Sequence, residues 1–106
     1  MAAWNSNGLT VRSVAGITDV ALLTDDCIVY TNVAAKATAL FSAADSRVQQ
    51  GKVYRFVNAN TGAITITPTA GLIDGAATKV IAAGTAAAPV CATVVALGAN
   101  WQTVGN

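Results

Sequence analysis

Short apolar runs separated by glycine, asparagine or paired aspartate, at spacings of about ten residues, set the rhythm of this chain. Leu9–Val14 and Val20–Leu23 are predicted strands on either side of Gly16, and Cys27–Asn32 is a third, entered from a turn at Asp25-Asp26. Lys36–Phe41 is rich in alanine, but it has neither the length nor the caps of a helix. No amphipathic helical period occurs elsewhere, so it too reads as β. Lys52–Asn58 alternates Lys52, Tyr54 and Phe56 on one face with Val53, Arg55 and Val57 on the other. After a turn at Asn58–Gly62, Ala63–Thr67 places Ile64 and Ile66 opposite Thr65 and Thr67, and Pro68 removes a ladder donor. These two segments are expected to form an antiparallel hairpin.

Beyond the glycine turn at Gly71–Gly75 come a strand at Thr78–Ala82 and a small-residue loop at Ala82–Pro89. Val90–Leu97 follows and is apolar on both faces, as expected of a strand covered by the core on one side and by another subunit on the other. A turn at Gly98–Asn100 leads to a last strand, Trp101–Val104. Short, glycine-punctuated strands without a helix predict an all-β domain, a small antiparallel β-sandwich or jelly-roll-like barrel. The expected division is a short N-terminal arm, residues 1–8, followed by one β domain, residues 9–106. The expected core is Val29, either Val53 or its neighbours Tyr54 and Phe56, Ile64, Ile66, Val80 or Ile81, Val94 and Trp101. Sequence parity leaves those pairs open.

Composition sharpens this picture. Ala, Val and Thr supply 49 of 106 residues, β-branched residues 32, and charged residues only 10%. An ordinary soluble domain carries about 25% charged residues, so this surface must be unusually neutral. The core is thin, because 23 of the hydrophobic residues are alanines. Neutral surface and thin core together predict a subunit rather than a solitary monomer. The six cations are scattered at Arg12, Lys36, Arg47, Lys52, Arg55 and Lys79, with no basic run for a phosphate backbone, so no nucleic-acid partner is expected. Without an apolar run of membrane length or a signal-like start, neither a membrane partner nor export through a leader is expected.

Catalytic chemistry has few candidates. There is no histidine and no glutamate, and the acids are Asp19, Asp25, Asp26, Asp45 and Asp74. Asp25-Asp26 reads as a solvated turn, and Asp74 as a residue bonded to amides of its own turn. Cys27 and Cys91, well separated and flanked by apolar residues in a chain without a signal-like start, are expected to be free thiols, with no histidine to activate them and too few companions to hold a metal. Neither phosphate-binding glycine motif occurs. The expectation is a non-enzyme with no cofactor and no metal. Contact with a partner is instead assigned to Trp4 and Asn5 of the N-terminal arm, to Leu9 at the start of the β domain, and to Val90 and Val95.

One stretch carries a resemblance. GKVYRFVNANTGAITITPTAG (Gly51–Gly71), LIDGAAT (Leu72–Thr78) and ALGANWQTVG (Ala96–Gly105) resemble, in that order, modules of tailed-bacteriophage virion proteins, both head decoration or head-fibre proteins and parts of tail fibres. The resemblance covers about the last half of the chain. It implies a structural protein of the virion, made in the host cytoplasm, that decorates the capsid surface and cements the head. Its implied partners are the major capsid protein and copies of itself, as a homotrimer. With an initiator Met and an end just after the last strand, the chain is expected to stand alone rather than to be a fibre fragment. The alternative is a carbohydrate- or cell-surface-binding module of a tail fibre or tail spike, with Trp4, Tyr30, Tyr54 and Trp101 as an aromatic platform.

Overall fold

The structure, a computed structural model, describes residues 10–32 and 34–104, so the arm residues Trp4 and Asn5 and the contact residue Leu9 lie outside the described residues. Nine strands follow in chain order: β1 (Val11–Val14), β2 (Thr18–Val20), β3 (Cys27–Tyr30), β4 (Lys36–Leu40), β5 (Val53–Asn58), β6 (Ile64–Pro68), β7 (Lys79–Ile81), β8 (Val90–Leu97) and β9 (Asn100–Thr103). They form a five-stranded sheet, β1-β3-β5-β8-β9, and a four-stranded sheet, β2-β4-β6-β7.

The chain reaches this all-β fold by an unexpected route. From β1 to β6 it visits the two sheets alternately in three coils, β1–β2, β3–β4 and β5–β6, so each of β2 to β5 serves as the crossover between two strands of the opposite sheet. Parallel neighbours need such a crossover, and the partner sheet supplies it without a helix. β1, β3 and β5 therefore stack in parallel with Val11, Cys27 and Arg55 in register, and β2, β4 and β6 do so with Thr18, Ala37 and Thr65 in register. Only β7, β8 and β9 join antiparallel, β7 on β6, β8 on β5 and β9 on β8. Both sheets are thus mixed, which corrects the expectation of an antiparallel sandwich. The expected hairpin is corrected as well: β5 and β6 lie in different sheets, and the turn between them is a corner of the stack.

Inward parity settles the core. Ile28, Tyr30, Tyr54, Phe56, Ile64, Ile66, Ile73, Ile81, Val94 and Trp101 are buried between the sheets, whereas Val29 is half-buried and Val53 and Val80 face outward. The rings run in a row from Tyr30 through Phe56 and Tyr54 to Trp101, with centroid separations of 6.4, 6.1 and 5.5 Å. Tyr54 donates its hydroxyl to the Leu22 carbonyl (2.8 Å), the Trp101 indole donates to the Phe41 carbonyl (2.9 Å), and the Tyr30 hydroxyl meets Thr38 Oγ1 at 2.7 Å. Each ring thus buries its apolar body while its polar end finds a partner.

Polar side chains stitch the corners. Lys36, buried, donates through Nζ to the carbonyls of Ala15 and Gly16 (both 2.9 Å), tying the second coil to the first. Asn60, also buried, exchanges bonds with the backbone of Ala34, its amide donating to the carbonyl at 2.6 Å and its carbonyl accepting from the N–H at 3.2 Å. Gly62 packs so close to that strand end that a Cβ there would sit 2.2 Å from the Ala34 carbonyl carbon.

Candidate functional site

Outward parity leaves an unusual surface on the five-stranded sheet. Its middle row runs Val11, Cys27, Arg55, Thr93, and Val104 extends it by donating its N–H to the Thr93 carbonyl (2.8 Å). One flanking row holds Ser13, Val29, Val57 and Cys91, and the other Val53, Val95 and Gln102. Val11 is 59% exposed, and Val53 and Val104 are exposed as well. Water-facing sides of sheets are commonly rich in charged residues, whereas this face is mostly Val and Cys, with Ser13, Thr93 and Gln102 and a single charge at Arg55. The outer face of the four-stranded sheet is equally neutral, with Thr18, Val20, Ala37, Ala39, Thr65, Thr67 and Val80.

Arg55 is the one charged residue on either outward face among the described residues. The charge inventory explains its isolation. Arg12 turns inward at the first coil and binds two acids at once, Asp19 at 2.8 and 2.9 Å and Asp25 at 2.8 to 3.1 Å. Its guanidinium is held charged above its usual range by the bonds to Asp19 and Asp25, against the cost of burial. Asp25 is buried and also accepts the Leu22 N–H at 2.9 Å, so the expected solvated turn at Asp25-Asp26 is half corrected: Asp25 is a structural anchor. Asp26 pairs with Lys52 (3.5 Å) and Asp45 with Arg47 (2.9 Å). Asp74 pairs with Lys79 (3.1 Å) and accepts both the backbone N–H and the hydroxyl of Thr103, so it ties its turn to β9 rather than bonding within the turn. Burial pushes the Asp74 carboxyl up, and the two Thr103 bonds and Lys79 more than offset this, leaving it below its ordinary range.

Every aspartate therefore has an in-chain cation, while among the described residues the Arg55 side chain reaches only Thr93 Oγ1 (3.2 Å). β5 is the middle strand of its sheet and Arg55 sits in the middle row, at the centre of the apolar face. The sequence puts Arg55 on one face of β5 with Val53 and Val57 and leaves open whether that face is outward. The central position of Arg55 was not legible either, because strand order was needed to place β5 in the middle.

Of the predicted contact residues, the structure describes Val90 and Val95, and it separates them. Val95 lies on the outer face of β8, half-buried, whereas Val90 packs against the core. β8 is covered on its inner side through Ala92, Val94 and Ala96, and its outer side is only partly shielded by neighbouring side chains. Cys27 and Cys91 are free thiols on the outer face, separated by β5. Burial pushes the Cys27 thiol up, which Arg55 partly counters. The rings proposed as a platform offer none: Tyr30, Tyr54 and Trp101 are core residues. A groove of about 370 Å³ opens between Leu23 and the segment Arg47–Lys52, and its two cations already hold Asp45 and Asp26. Among the described residues no group of three or more His, Cys or Asp could hold a metal ion. Comparison with known protein families finds none that matches the chain, and no curated protein is similar to it.

Proposed function

We propose that this chain is a structural protein of a tailed-bacteriophage virion, a decoration or head-fibre subunit that attaches to the outside of the assembled head and stabilises it. The observation that carries the reading is the pair of outward sheet faces, which among the described residues hold one charge between them and are built mainly from Val, Thr, Ala and Cys. Such faces serve association rather than solvation. The resemblance of Gly51–Gly105 to virion modules supplies the setting. All five aspartates are engaged in ion pairs within the subunit, which suits a protein whose work is shape and contact rather than proton transfer. Self-association, as a homotrimer, belongs to the same proposal, since a thin core gains most from shared burial.

Heads prepared without the chain, then challenged by heat with and without added protein, test the reading. Added protein is expected to sediment with the heads and to raise the temperature at which they release their contents. Heads that neither bind it nor gain resistance would contradict the proposal.

A further inference from the structure

Resting on that reading, we infer that the outer face of the five-stranded sheet is the surface turned toward the shell, and that Arg55 at its centre anchors a carboxylate of the shell protein. The layout is that of an interface hot spot: an arginine in the middle, ringed by Val29, Val57, Val53, Val95 and Cys27, which would exclude water from it on contact. Arginine suits this place because its fork binds a carboxylate through two hydrogen bonds at once.

Charge accounting decides against a second copy as the occupant. The aspartates of a second copy are already held by Arg12, Arg47, Lys52 and Lys79, so it brings no free side-chain carboxylate. Two such faces laid together about a two-fold axis would also set Arg55 against Arg55, an unpaired like-charge contact out of water. The occupant is therefore an apolar protein surface with an Asp or Glu at its middle. Five strands at their usual spacing make the face about 24 Å by 20 Å, roughly 500 Å². A stable interface usually takes about 800 Å² per partner. Attachment through this face alone is thus modest per subunit and gains strength from several linked copies engaging at once.

The test uses heads purified without this chain, incubated with wild-type, Arg55→Met and Arg55→Glu proteins. Among the described residues the Arg55 side chain hydrogen-bonds Thr93 alone and is exposed, so all three should melt within a few degrees of one another. Binding is expected to weaken about tenfold for Arg55→Met and about a hundredfold or more for Arg55→Glu. The native thiols report the same face without mutation: alkylation of Cys27 should slow severalfold on the heads relative to the free protein. Arg55→Glu binding within about threefold of wild type would overturn the inference alone, being well short of one hot-spot residue. So would undiminished Cys27 alkylation on the heads, and so would Cys27 protection that appears in the isolated protein with rising concentration, which would give the face to a second copy. Wild-type protein that fails to bind heads would overturn the functional reading and this inference with it.

Discussion

Phe56 sits fully buried between the rings of Tyr30 and Tyr54, and truncating it would leave a void that neither ring can fill without moving. Phe56→Ala is expected to cost about 3–5 kcal/mol of stability in denaturant unfolding. Three residues earlier on the same strand, Val53 points outward and is exposed, so Val53→Ala should change stability by about 0.5 kcal/mol or less. A Phe56→Ala cost no greater than that of Val53→Ala would contradict this parity of β5. The tyrosines offer a second check. Burial pushes the Tyr54 hydroxyl up to about 12, and it raises Tyr30 as well, against the bond to Thr38. A folded value above the unfolded one, about 10, means that each neutral phenol stabilises the fold fully below that pH. The contribution is lost as pH climbs through the folded value. These are the only two tyrosines, so phenolate absorbance should appear only well above pH 10 and in step with loss of the β circular dichroism signal. A phenolate step near pH 10 in a still-folded protein would contradict their burial.

Among the elements, the existence of most strands was legible in the chain, although β2 lies at Thr18–Val20 rather than at the expected Val20–Leu23, and connectivity was not. The alternation in AITIT placed Ile64 and Ile66 in the core as expected, whereas that in KVYRFVN separated Val53 from Tyr54 and Phe56 without saying which face is inward; the structure turns Tyr54 and Phe56 inward. Pairing is not written in either strand. A turn of about five residues between two strands suits a hairpin, and it suits equally a corner leading from one sheet to the other. What selects the corner is long-range: Asn58 and Asn60 bond backbone groups at Gly62, Ala82 and Ala34, and Gly62 lies against the Ala34 backbone. Buried asparagines between two strands were the one local hint. Since backbone, not a pliable side chain, faces Gly62, Gly62→Ala should cost about 2–3 kcal/mol or more by forcing the second and third coils apart. A Gly62→Ala protein with the parent's unfolding midpoint would mean that the corner is looser than this packing. The inward ion network of Arg12, Asp19 and Asp25 was hidden for the same reason, its members being joined only when β1 and β2 take opposite sheets.

For the whole molecule, the distribution of charge matters more than its sum. Net charge is +1, yet the ion pairs lie inside or at the loops, and both broad faces are left nearly uncharged. Composition anticipated the neutral surface, whereas the position of Arg55 at the centre of one face needed the strand order β1-β3-β5-β8-β9. A body of 37 × 35 × 24 Å with two nearly uncharged sheet faces is consistent with the proposed attachment to a larger surface. Electron cryomicroscopy of virions with and without this chain tests that claim most directly. The account predicts extra density at symmetry-related sites on the outer head surface, resolved as a two-sheet sandwich with its five-stranded sheet toward the shell and Arg55 beside a shell carboxylate. Heads of identical density in the two preparations, or a sandwich that meets the shell through its four-stranded sheet, would contradict it.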